Sequence, residues 1–174
     1  LMNAGDHEID LTGWQFIRGI GFRFTATTAL HRLAPGARLL LVRNRIAFLS
    51  RYPNAGPIAG EFDGNLADGG ERVTFVGPAG EIVFDVAYSD RAQPATDGLG
   101  FSLVRVDESL PPSELDDPSR WRMSAFPGGS PGEADPNPAP QTPHVIITEL
   151  MASPLPGEQD SVSYTHLRAH ETKA

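Results

Sequence analysis

The stretch from Gly70 to Tyr88 constrains the fold more than any other. Val73 and Phe75 fall on one face of an extended chain, with Arg72 and Thr74 on the other. Beyond Gly77-Pro78-Ala79-Gly80, residues Ile82, Phe84, Val86 and Tyr88 share a face, with Val83, Asp85 and Ala87 opposite. Strict alternation of β-branched and aromatic residues is the mark of half-buried strands. The intervening proline fixes φ and the glycines supply positive φ. The spacing predicts a β-hairpin in an all-β module, with Phe75, Ile82, Phe84 and Val86 turned to the core.

The rest of the chain fits short strands and tight turns. Ile9 and Leu11 lie on one side ahead of a turn at Thr12-Gly13. Residues 14–17 and 22–25 flank Arg18-Gly19-Ile20-Gly21 as a second hairpin. Leu33-Ala34-Pro35-Gly36 is a turn before Arg38–Val42, an apolar run short enough for a buried strand. Residues 101–106 and 121–124 read as further strands, and 107–119 as a polar, proline-bearing loop. One helix is expected. Asn44 is a good N-cap, Ile46, Phe48, Leu49 and Tyr52 recur at helical spacing, and Pro53 stops it.

The 174 residues suffice for one domain with a sizeable core. Eighteen glycines and sixteen prolines argue against long helices. The formal charge of −8 sets the chain against a nucleic-acid backbone or an anionic membrane surface. Arg38, Arg43, Arg45 and Arg51 cluster in sequence but read as a solvated face rather than a binding site. With no cysteine, disulfides, thiolate metal sites and cysteine catalysis are excluded. No apolar run approaches the roughly 20 residues that span a bilayer.

Five motifs in order carry a family resemblance: Asp10-Leu11-Thr12-Gly13-Trp14, Leu33-Ala34-Pro35-Gly36, Gly69-Gly70-Glu71-Arg72-Val73, the run from Asp97-Gly98 to Leu103, and Trp121–Ser124 with Gly128–Gly132. Together they resemble a bacterial lamin-tail domain. The resemblance implies an immunoglobulin-like β-sandwich with one short helix and a Pro/Gly-rich C-terminal linker, covering residues 1–132. Its structural positions would be Trp14, Gly36, Phe75, Phe84, Gly98, Trp121 and Gly132. The family's first strand is missing ahead of Leu1. After a linker over 133–143, residues 144–160 resemble the opening strand of a second repeat. Such modules recur in large exported or surface proteins, so the resemblance implies an internal fragment. Residues 161–174 resemble a translated sequencing adaptor and are set aside from the fold. The vacant first-strand position leaves a sheet edge open. Val145–Leu150 is expected to fold back and fill it, by donor-strand complementation.

Candidate chemistry is sparse. Gly128-Gly129-Ser130-Pro131-Gly132 matches the G-x-S-x-G nucleophile pattern but not its mechanism. Pro131 has no N–H for an oxyanion, and no helix follows. His7, His31 and His144 show no metal-ligand spacing. His166 and His170 stand four apart, within the set-aside tail. Glu114, Asp116 and Asp117 are candidate calcium ligands, but calcium takes six to eight oxygens and no EF-hand register is present. They read as a solvated loop. Trp14 and Trp121 are candidate ligand platforms, with packing the favoured role. The expectation is a non-enzymatic module for adhesion, spacing or ligand binding at the cell surface. It needs no cofactor, and its partners are a protein or carbohydrate and neighbouring repeats. The alternative is an accessory domain that positions a kinase-like or nuclease domain elsewhere in the protein.

Overall fold

A computed structural model describes residues 1–136, 147–151 and 161–164. The chain divides into two units, Leu1–Ala139 and Pro140–Ala174. The first is all-β and sandwich-like, with one α-helix among the described residues. Its strands are β1 (Ile9–Asp10), β2 (Gln15–Arg18), β3 (Ile20–Arg23), β4 (Arg32–Leu33), β5 (Leu40–Val42), β6 (Ile58–Glu61), β7 (Asp63–Gly64), β8 (Glu71–Val76), β9 (Ile82–Tyr88), β10 (Leu103–Arg105) and β11 (Trp121–Met123). Five of them form one antiparallel sheet in the order β7-β3-β2-β8-β9. Separate pairs β1-β4, β5-β6 and β10-β11 complete the unit.

Both predicted hairpins are present. β2 and β3 pair antiparallel with Phe16 opposite Phe22, and β8 and β9 pair with Phe75 opposite Phe84. The core lies between the large sheet, which contributes Phe16 and Phe75, and Leu11, Leu33, Leu39 and Ala59. Phe24 is fully buried within the same cluster. Phe75 touches four rings: Trp14 at 5.6 Å between centroids, Phe16 at 4.6 Å, Phe24 at 6.3 Å and Phe84 at 5.3 Å. Tilted and edge-on pairs of this kind add to the burial of area alone.

The expected facing of β9 fails at one end. Ile82 is 66% exposed, whereas Val83 packs against the core beside Phe84. The cause is a β-bulge. Phe75 pairs with Phe84 but Val76 pairs with Ile82, so Val83 is an extra residue. A bulge inserts one position into the two-residue period, and every side chain before it changes face. Val83, assigned from the alternation to the outer face, therefore shares the core with Phe84. A second bulge at Ile17 leaves that residue 55% exposed.

On the outer face of the hairpin, the Thr74 hydroxyl donates to Asp85 at 2.7 Å and Arg72 donates to the same carboxylate at 2.8 Å. The Thr74 hydrogen bond, and then the Arg72 charge, hold Asp85 below the usual carboxylate range.

The helix α1 spans Arg45–Arg51, and the Asn44 side chain accepts from the Ala47 N–H at 2.8 Å as its N-cap. It bridges β5 and β6, which pair parallel. Parallel neighbours cannot be joined by a tight turn, so a crossover is required. Tyr52, just past the helix, donates from its hydroxyl to the Gly128 carbonyl at 2.7 Å and ties this end to the C-terminal loop.

Trp14 packs against the core, Phe84 stacks on Phe75, and Gly36 and Gly98 lie in exposed bends. Gly132 has φ 84°, and a Cβ there would stand 2.8 Å from the Gly56 backbone. No other residue type fits that crossing.

The domain does not end at 132. Asp135 accepts from Arg122 Nη1, from the Ala125 N–H at 3.0 Å and from the Ser130 hydroxyl at 3.0 Å. The segment expected to open the linker at 133 is thus fastened to the sandwich, because a buried carboxylate must find donors.

In the second unit, β12 (Ile147–Met151) pairs antiparallel with β13 (Ser161–Tyr164). The expected fold-back strand takes its partner from its own unit, and the set-aside tail supplies that partner. The physical reason is proximity in sequence. A local hairpin closes a shorter loop than a return to the first domain. Val145, Ile146, His144, His166 and His170 lie outside the described residues.

Candidate functional site

The two surface hollows that carry the most chemistry flank the β10-β11 pair. The first is built on Trp121 and Tyr88. Trp121 opens β11 opposite Arg105, and its indole N–H donates to the Leu115 carbonyl at 2.8 Å. Leu115 is buried, so the loop from 107 to 120 folds under the indole and fixes its plane. Tyr88 closes β9 opposite Glu71. Its hydroxyl donates to the Ala67 carbonyl at 2.7 Å and lies 3.3 Å from Glu71 Oε1. Burial, followed by the Glu71 carboxylate, pushes the Tyr88 phenol up to about 12. With Leu103, Pro118 and Arg91 the two rings line a pocket of about 240 Å³.

The raised Tyr88 value gives a direct check. A phenol with its folded pKa above its unfolded one stabilises the fold fully below about pH 10, and that contribution is lost as pH climbs towards 12. Near-ultraviolet absorbance should therefore show a tyrosine ionising late, near pH 12, and Tyr88→Phe should delete that step. Retention of the late step in Tyr88→Phe would mean that another tyrosine is responsible.

The second hollow, of about 290 Å³, is bordered by Arg105, Glu108, Arg122, Ser130, Glu133 and Asp135. Most of its charges are already matched. Arg122 and Asp135 form an ion pair with side chains only 15% and 6% exposed. Arg38 grips Glu108 through both terminal nitrogens. Ser130, the serine of the G-x-S-x-G pattern, donates to Asp135. That carboxylate is also held by Arg122 and by the Ala125 backbone amide.

The remaining candidates are engaged by protein partners of their own. Glu114 faces Arg120 at 2.9 Å. Asp116 accepts from the Ala87 N–H at 2.8 Å and lies 3.6 Å from Arg72. Asp117 caps Ser119, whose hydroxyl and amide hold it below the usual carboxylate range. Glu114 and Asp117 thus share Arg120, 2.9 and 3.6 Å from its Nε, while Asp116 turns to Ala87 and Arg72. Among the described residues no group of three or more histidines, aspartates or glutamates could hold a metal. His7 contacts Asp6, and His31 Nδ1 pairs with the Thr28 carbonyl. Of the basic cluster, Arg43 bonds Asn65 at 2.7 Å and Arg51 lies over the Tyr52 ring at 5.5 Å. With Arg38 on Glu108, these arginines have separate partners rather than one shared face.

Trp14 and Trp121, treated alike from the sequence, divide. Trp14 packs on Phe75, whereas Trp121 walls a pocket. Tyr88 read only as the last residue of the hairpin's alternating face, and Asp135 carried no signal of its own. Tyr88 lies 33 positions from Trp121, and Asp135 stands in a proline-rich segment. Comparison with protein-family models, with curated proteins and with solved structures finds no match for this chain. Among the described residues no helix is long and apolar enough to cross a membrane.

Proposed function

We propose that the chain is a non-catalytic binding module of lamin-tail type, carried as one repeat of a larger exported bacterial surface protein. It holds its ligand, a protein or carbohydrate, in the Trp121–Tyr88 pocket. The observation that carries this reading is the pocket itself. Two aromatic rings stand at the surface with their polar atoms already satisfied by Leu115 and Ala67, which leaves their faces for contact. A wall fixed by hydrogen bonds loses little freedom on binding. The five sequence motifs support the lamin-tail assignment, and the sandwich-like fold agrees with it.

Ser130 supplies the test. Its hydroxyl is engaged by a carboxylate that is itself engaged by Arg122 and Ala125. A fluorophosphonate probe should leave Ser130 unlabelled, and Ser130→Ala should not alter ester or peptide hydrolysis above background. An adduct at Ser130 would contradict the non-catalytic reading.

A further inference from the structure

The Trp121 pocket does not stand alone. A second hollow of about 160 Å³, lined by Asp68, Asp90, Thr96 and Phe101, shares Tyr88, Ser89 and Leu103 with it. The two hollows therefore adjoin at these three residues as halves of one groove. Its aromatic half is apolar, with Trp121, Leu103 and Pro118, and has Arg91 at its rim. Its other half offers carboxylates.

Most carboxylates in the first unit are committed. Asp85, Glu108, Glu114 and Asp135 face arginines, and Asp10, Asp107 and Asp117 cap backbone amides. Asp68 and Asp90 have no side-chain hydrogen bond among the described residues, and the same holds for the Arg91 guanidinium. The groove thus combines an apolar wall, two uncommitted acceptors and one uncommitted donor, in adjoining sub-pockets.

We infer that this groove binds a neutral saccharide chain. A pyranose ring presents a C–H face suited to an aromatic wall, and its edge hydroxyls both donate and accept. Donation satisfies Asp68 and Asp90, and acceptance satisfies Arg91. Charged ligands fit less well. An anionic chain meets the two carboxylates and a protein of net charge −8. A cationic one is drawn to the two carboxylates but meets Arg91 at the aromatic end, where a ring must stack. The aromatic half, about 240 Å³, is smaller than the cavities of about 300–1,000 Å³ that enclose drug-sized ligands, so it takes one ring of a longer chain.

This assignment rests on the binding-module reading and narrows it to a ligand class. The test uses the full chain with ¹⁵N-labelled tryptophan. It is titrated at millimolar concentration with three neutral hexaoses (cello-, xylo- and manno-oligosaccharide), an anionic alginate hexamer and a cationic glucosamine hexamer. The expected result is that at least one neutral hexaose shifts the Trp121 indole resonance and leaves that of Trp14 in place. Asp68→Ala, at an exposed turn, should weaken that binding by about tenfold. Equal or stronger binding of either charged hexamer overturns the assignment. So does silence of Trp121 towards all three neutral probes, or an Asp68→Ala variant that binds unchanged. Those outcomes remove the ligand class alone, whereas an adduct at Ser130 removes the module reading beneath it.

Discussion

Phe75→Ala is expected to destabilise the domain by about 3–5 kcal/mol, the range for deleting a buried phenylalanine. The residue is 2% exposed and touches the rings of Trp14, Phe16, Phe24 and Phe84. Those rings come from neighbouring strands and the connections beside them, so none can close the void without moving the sheet. Ile82→Ala is the matched control. Ile82 is apolar and on the same hairpin, but exposed beyond the Val83 bulge, and its loss should cost less than about 0.5 kcal/mol. Denaturant midpoints of the two variants decide the matter. Comparable losses would place Ile82 in the core and remove the bulge.

Asp135→Ala should cost about 3–5 kcal/mol, because it leaves the Arg122 guanidinium buried without its counter-charge. It also strips the Ala125 N–H and the Ser130 hydroxyl of their acceptor. The pair is not expected to be worth that much in itself. Replacing both partners, as in Asp135→Ala with Arg122→Met, should recover a large part of the loss, since an apolar pair needs no compensation. If Asp135→Ala alone melts like the parent, the C-terminal loop is not fastened to the sandwich at this point.

The two hairpins and the helix were legible because each is written locally. Alternation, turn glycines and the Asn44 cap act over a few residues. The bulge at Val83 was not legible, since the residues on either side alternate without interruption and only the pairing with β8 shows the extra position. The parallel pairing of β5 with β6 was hidden for a related reason. Leu40–Val42 reads as a buried strand in any neighbourhood, and its partner is chosen by the crossover through α1. The site was the least legible part. Trp121 carried the same composition signal as Trp14, and what distinguishes them is tertiary. One meets Phe75, while the other stands beside Tyr88, whose hydroxyl is fixed by Ala67 and Glu71. Asp135 looked like part of a linker until its three carboxylate donors came together from Arg122, Ala125 and Ser130, with Arg122 reaching also to the backbone of Asp135.

The account of function depends on Trp121 walling an open pocket while Trp14 is packed into the core. Acrylamide quenching of the two single-tryptophan variants, Trp14→Phe and Trp121→Phe, measures this directly. The pocket predicts steep quenching of Trp121 in the first variant and shallow quenching of Trp14 in the second. Equal slopes, or a Trp121 better shielded than Trp14, would contradict it.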